Sequence, residues 1–146
     1  MDKWHQFVIS DPSCLSGESV HAFMKQIMEY VDIDQIFISD MEGAYQGLKG
    51  RSGVPMSATE FMNLVRQAHQ YDWAFFFLYS RGSSPGHRVA NDDKSAMASA
   101  DITVRLADDT YFIVYTRMDE FASRFRTCFP EAKYTMTKFN DLNIPY

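Results

Sequence analysis

Apolar residues recur along this chain with two distinct periods. Val20, Phe23, Met24, Ile27, Met28 and Val31 follow the i, i+3, i+4, i+7 spacing of one helix face, with Ser16 or Ser19 available as its cap. Ser57 and Glu60 form a Ser-x-x-Glu capping box, in which each side chain satisfies a backbone donor of the other's turn. Phe61, Leu64, Val65 and Ala68 then continue as an apolar stripe. A third helix is predicted to open at Thr116, with Asp119 three residues on, and to run through Met118, Phe121, Ala122, Phe125 and Phe129. Pro130 stops it, because proline cannot continue the hydrogen-bond ladder.

Runs of β character lie between these helices, at Gln6 to Ser10, Gln35 to Ser39, Trp73 to Ser80, Ile102 to Leu106, Tyr111 to Tyr115 and Tyr134 to Phe139. Ile102, Val104 and Leu106 alternate with Thr103 and Arg105, the pattern of a strand with one wet face. Residues 107–110 link it to the next strand as a short antiparallel hairpin. Ala74 to Leu78 is apolar without interruption, which predicts a central strand covered on both faces. Helices between strands imply right-handed crossovers and parallel pairing. The expected fold is an α/β, single-domain mixed-sheet sandwich of order β-α-β-α-β-β-β-α-β over residues 1–146, its first three strands parallel and followed by an antiparallel hairpin.

Two connections exceed the roughly 12 to 15 residues usual for loops in compact domains. Met41 to Met56 carries Gly43, Gly47, Gly50 and Gly53, and Ser80 to Ala100 is polar without a convincing period. The glycine-rich segment, with Lys49 and Arg51, fits neither phosphate-binding glycine motif and reads as a connector.

Charge sharpens this picture. Residues 1–50 hold eight Asp/Glu and three Lys/Arg, so the whole formal charge of -5 lies there. Between Glu29 and Glu42 stand Glu29, Asp32, Asp34, Asp40 and Glu42 with no basic residue, interleaved with Tyr30, Phe37 and Met41 and followed by Tyr45. One-signed charge around aromatic anchors describes a recognition surface for an oppositely charged partner. The residues assigned to it are Glu29, Tyr30, Asp32, Asp34, Asp40, Glu42 and Tyr45. A sequence pI near 5.2 and the lack of a dense basic stripe argue against nucleic-acid binding.

A second constellation follows from the strand ends. Ser10-Asp11, Ser39-Asp40 and Ser80-Arg81 close the first three strands, and in a parallel sheet they would converge at the carboxyl edge where α/β proteins hold ligands. Asp11, Asp40 and Arg81, with His87 nearby, form the alternative ligand site of a small enzyme. The competing account is that Ser-Asp merely caps turns. His5, His21, His69 and His87 show no metal-ligand spacing, and no nucleophile-elbow or Cys/His signature is present, so no metal, cofactor or catalytic residue is expected.

Cys14 and Cys128 do not make a disulfide framework, the first residues do not read as a signal peptide, and the longest apolar run, Trp73 to Tyr79, is far short of the roughly 20 residues of a membrane span. A cytoplasmic protein is expected, without membrane contact. In size, acidity, aromatic content and absence of a catalytic motif the chain resembles bacterial immunity proteins that neutralise nuclease toxins. The resemblance is one of general character and covers no motif. It implies an inhibitor whose carboxylates stand where a toxin's substrate phosphates would, with a basic protein as partner.

Overall fold

A computed structural model describes residues 3–43, 51, 53–82 and 93–142, without the side chains of 40–43 and 93. The elements are β1 (Trp4–Ser10), α1 (Gly17–Met28), β2 (Ile33–Gly43), β3 (Met56–Ser57), α2 (Ala58–Val65), β4 (Tyr71–Ser80), α3 (Asp93–Ser99), β5 (Ile102–Ala107), β6 (Tyr111–Thr116), α4 (Asp119–Cys128) and β7 (Lys133–Thr137). A short 3-10 turn, Phe139–Asp141, follows.

The seven strands form one sheet of order β3-β2-β4-β5-β6-β1-β7, and every neighbouring pair is antiparallel. This overturns the expected parallel arrangement of the first three strands. The physical reason lies in where the crossovers land. β1 and β2, joined by α1, run in the same direction, but β6, β5 and β4 lie between them. β3 reverses the chain before α2, so that the α2 crossover joins β3 to β4 on either side of β2. In the same way α4 carries β6 to β7 around β1. Each of these three helices joins strands of like direction that are not neighbours, whereas α3 leads from β4 to its antiparallel neighbour β5.

Side chains alternate across this sheet, and both faces are covered. On one face Ala74, Phe76 and Leu78 of β4 meet Ile102, Val104 and Leu106 of β5 beneath α1, α2 and α4. On the other, Phe75, Phe77 and Tyr79 join Phe37 and Tyr115 against Ala96, Met97 and Ala100, around α3. Residues 74–79 of β4 are all buried, as the uninterrupted apolar run requires, although the middle of the seven positions belongs to β5. The expected aperiodic stretch 80–100 contains α3, which was not legible as a helix because, among its described side chains, only Ala96 and Met97 are buried.

Local signals account for the helix ends. The Ser16 hydroxyl accepts from the Ser19 amide at the start of α1, and that of Ser57 accepts from the Glu60 amide at the start of α2, while the Glu60 carboxylate pairs with Arg51. Thr116 stands three residues before α4. Its hydroxyl accepts from the Met118 amide and donates to the Asp101 carbonyl, joining β6, α4 and the approach to β5.

Gly17, the first residue of α1, lies tight against the chain that follows α2. A methyl group there would sit 2.0 Å from the Ala68 carbonyl oxygen and 2.5 Å from that of Arg66, both backbone atoms. Gly17→Ala should therefore separate α1 from the end of α2 and cost about 1–3 kcal/mol, the range for overpacking. A lower urea midpoint with an unchanged slope is the expected result.

Candidate functional site

The acidic segment from Glu29 to Glu42 does not gather at one place. It spans the end of α1 and the length of β2, which puts Asp34 and Glu42 about 25 Å apart at ~3.3 Å per strand residue. At the first end Arg81 closes on the acids. Its Nε lies 2.8 Å from Asp32 Oδ2 and one terminal nitrogen 3.1 Å from Asp34 Oδ1, because Ser80 is the register partner of Ile33. Hydrogen bonding to Asp32, then the charges of Asp32 and Asp34, raise the Arg81 guanidinium further above its ordinary range. Glu29, at the end of α1, is exposed. Tyr30 packs against the core, accepting at its hydroxyl from Gln26 Nε2 at 3.1 Å, and burial raises its phenol above 10.0. Phe37 is fully buried. Asp40 and Glu42 are placed by their backbone alone, and Tyr45 lies outside the described residues.

The strand-end cluster is also taken apart. Asp11 ends β1 and Asp40 lies near the end of β2 on the same side of the sheet, but four strand spacings, about 19 Å, separate them. Arg81 follows β4, which runs the other way, and stands at the opposite end. The buried Asp11 carboxylate is saturated locally: it accepts from the Ser13 amide at 3.0 Å, the Leu15 amide at 2.9 Å and the Ser19 hydroxyl at 2.8 Å. It secures the turn in which Cys14 and Leu15 take positive φ. His87 lies outside the described residues.

Two other groupings appear instead. At the end of the sheet where β2 finishes, β4 begins with Tyr71-Asp72-Trp73, and the β5–β6 turn closes beside it, the Asp109 amide donating to the Asp72 carbonyl at 2.9 Å. Asp108 and Asp109 are the central residues of that turn, with φ of 54° and 47°. Two positive φ values select Asn, Asp or Gly, so the conformation alone does not require charge. Trp73 is 50% exposed, next to exposed Asp72 and just before the buried run 74–79, and Tyr111 on the adjoining hairpin is 37% exposed. Asp72, Trp73, Asp108 and Asp109 line a concavity of about 440 Å³. Among the described residues no cation pairs with these three carboxylates, and no group of three His, Cys, Asp or Glu side chains is set to hold a metal ion. The arrangement presents an indole in a negative field rather than a coordination site.

The second grouping centres on His5, which lies in β1 with its ring in the core face. Its Nδ1 is 2.7 Å from the Tyr134 hydroxyl and its Nε2 is 2.7 Å from Asp119 Oδ1. The hydrogen bond from His5 foremost, helped by the charge of Lys3, holds the exposed Asp119 carboxyl below its ordinary value of 3.8. Nothing in the linear sequence joins residues 5, 119 and 134. Only the pairing of β1 with β7 and the return of α4 do so.

Because the Asp119 value is depressed in the folded chain, its contribution to stability is complete above the ordinary value of 3.8 and is lost as pH falls through the folded value. Thermal melts between about pH 5 and pH 2 should show a shallower fall for Asp119→Asn than for the parent. Parallel curves would contradict the bond to His5.

No helix among the described residues is long and apolar enough to cross a membrane. Comparison with protein-family models, curated protein sequences and solved structures finds no match.

Proposed function

We propose that this protein is a binding module of the inhibitor type, which takes a basic protein partner at the sheet end formed by Asp72, Trp73 and the Asp108-Asp109 turn. The observation that carries the reading is the half-exposed Trp73 among three carboxylates that no described cation neutralises. Tryptophan is enriched among residues that dominate binding energy, since a large rigid ring gains much apolar burial for little lost freedom. Carboxylates around it favour encounter with lysine- and arginine-rich surfaces and disfavour nucleic acid. The Glu29–Asp34 end is the weaker candidate, because Arg81 already answers two of its acids. The narrower reading, an immunity protein that neutralises a basic nuclease toxin, draws on the same complementarity, with Asp72, Asp108 and Asp109 in the place of substrate phosphates.

The test is a fluorescence titration with a lysine-rich peptide that lacks tryptophan, at low salt. Trp4 is buried, so the change reports Trp73. Asparagine tolerates positive φ, and an Asp72→Asn/Asp108→Asn/Asp109→Asn variant therefore keeps the turn. It should bind about tenfold or more weakly, whereas Asp32→Asn/Asp34→Asn should bind nearly as the parent does. Equal affinity of the parent and the triple variant would refute the proposal.

A further inference from the structure

His5 shows 6% of its surface, and among the described residues it is the buried histidine. A buried polar ring is costly unless satisfied, and here both nitrogens are satisfied at 2.7 Å. An ionised carboxylate only accepts, so Nε2 carries a hydrogen and gives it to Asp119. In the neutral tautomer this leaves Nδ1 as acceptor for the Tyr134 hydroxyl. The order is carboxylate, imidazole, hydroxyl, the arrangement that activates a nucleophile through an adjacent base held by a third group.

Both His5 and Tyr134 also line usable space. Asp119, Ala122, Ser123, Arg126 and Thr127, spaced i, i+3, i+4, i+7, i+8 along α4, form one wall of a groove of about 300 Å³ whose other wall carries His5 and Tyr134. The Arg126 guanidinium lies 4.3 Å from the centre of the Tyr134 ring. It places positive charge over the phenol ring and in the lining of the same groove. A purely packing histidine would need neither an open groove nor a cation over the phenol.

We propose that Tyr134 is a nucleophilic hydroxyl, with His5 as its general base and Asp119 as positioning residue, that accepts the acyl group of a small activated carboxylic ester bound between α4 and β7. The Tyr134 oxygen bonds to the acyl carbon and the phenol proton passes to His5 Nδ1. The bond from the acyl carbon to the leaving oxygen breaks, and the leaving group departs as its anion. The imidazolium, still donating through Nε2 to Asp119, returns its extra proton to solvent. The product is an ester at Tyr134. This site lies on the far edge of the sheet from Trp73 and stands independently of the binding role proposed above.

p-Nitrophenyl acetate is the probe, read by nitrophenolate release and by mass-spectrometric location of the acetyl group. Acetylation of Tyr134 should outpace that of Tyr111, an exposed tyrosine outside the groove, by at least about tenfold, since a placed general base contributes about 10²–10⁴. Tyr134→Phe keeps the ring against Phe7 and Arg126 but should abolish the fast phase. Asp119→Asn offers an amide donor to Nε2, lets the proton move to Nδ1 and removes the acceptor. It should slow acetylation at Tyr134 by about tenfold or more and shift its pH profile while Tyr111 reacts as before. Should His5→Gln fail to fold, the Tyr134-to-Tyr111 ratio in the unmodified protein and the Asp119→Asn rate still decide. Equal labelling of the two tyrosines, or an unchanged Tyr134 rate in Asp119→Asn, would overturn the assignment.

Discussion

Residues 74–79 of β4 are buried between two hydrophobic clusters, one beneath α1, α2 and α4 and the other against α3. A strand with no wet face must find hydrogen-bonding neighbours on both sides, since an unpaired amide or carbonyl there would have no water to meet. β2 and β5 supply them, both antiparallel to β4. Outward from β4 every further pairing is antiparallel as well, which sets the direction of each strand and the end of the sheet at which each loop emerges. Phe75 and Phe77 hold one side of the layer and Phe76, Phe61 and Tyr71 the other, with edge-on and stacked ring contacts throughout.

The two candidate sites are consequences of this order. Running β4 against β2 puts Arg81 beside Asp32 and Asp34 and puts Trp73 level with Glu42, so one end of the acidic strand is partly neutralised and the other is left with an exposed indole. Running β6 against β1 and β7 against β1 brings Thr116 and Met136 alongside His5, and α4, which starts just after Thr116, delivers Asp119 to the imidazole.

Much of the local structure was legible. The α1 and α2 helices with their serine caps, the apolar face of α4 and the Ala107 to Thr110 turn could be read from spacing and residue type, because those signals are complete within a few positions. The start of α4 could not, since it opens at Asp119 behind Met118 without a side-chain cap and not at Thr116. Strand partnership was not, since nothing in Val8-Ile9-Ser10-Asp11 or Phe37-Ile38-Ser39-Asp40 records which strand lies alongside, and the parallel reading therefore brought together Asp11, Asp40 and Arg81, which the sheet holds apart. The same limit hid the clusters that do form. Asp108 and Asp109 belong to a stretch whose charges balance along the chain, and only folding places them beside Asp72 and Trp73. His5 gave no signal because its partners lie 114 and 129 positions away.

A direct measurement of the field around Trp73 tests this account at its centre, because Asp108 and Asp109 reach the indole only if the strands pair as described. Fluorescence quenching at low ionic strength, with caesium and iodide compared in the same protein, reports the sign of the local potential, whose reach is about 30 Å at 0.01 M salt. With each quencher scaled to its effect on free N-acetyltryptophanamide, caesium should quench more efficiently than iodide, and the difference should vanish in the Asp72→Asn/Asp108→Asn/Asp109→Asn variant. Stronger quenching by iodide on that scale, or a caesium preference that survives those substitutions, would contradict the paired arrangement.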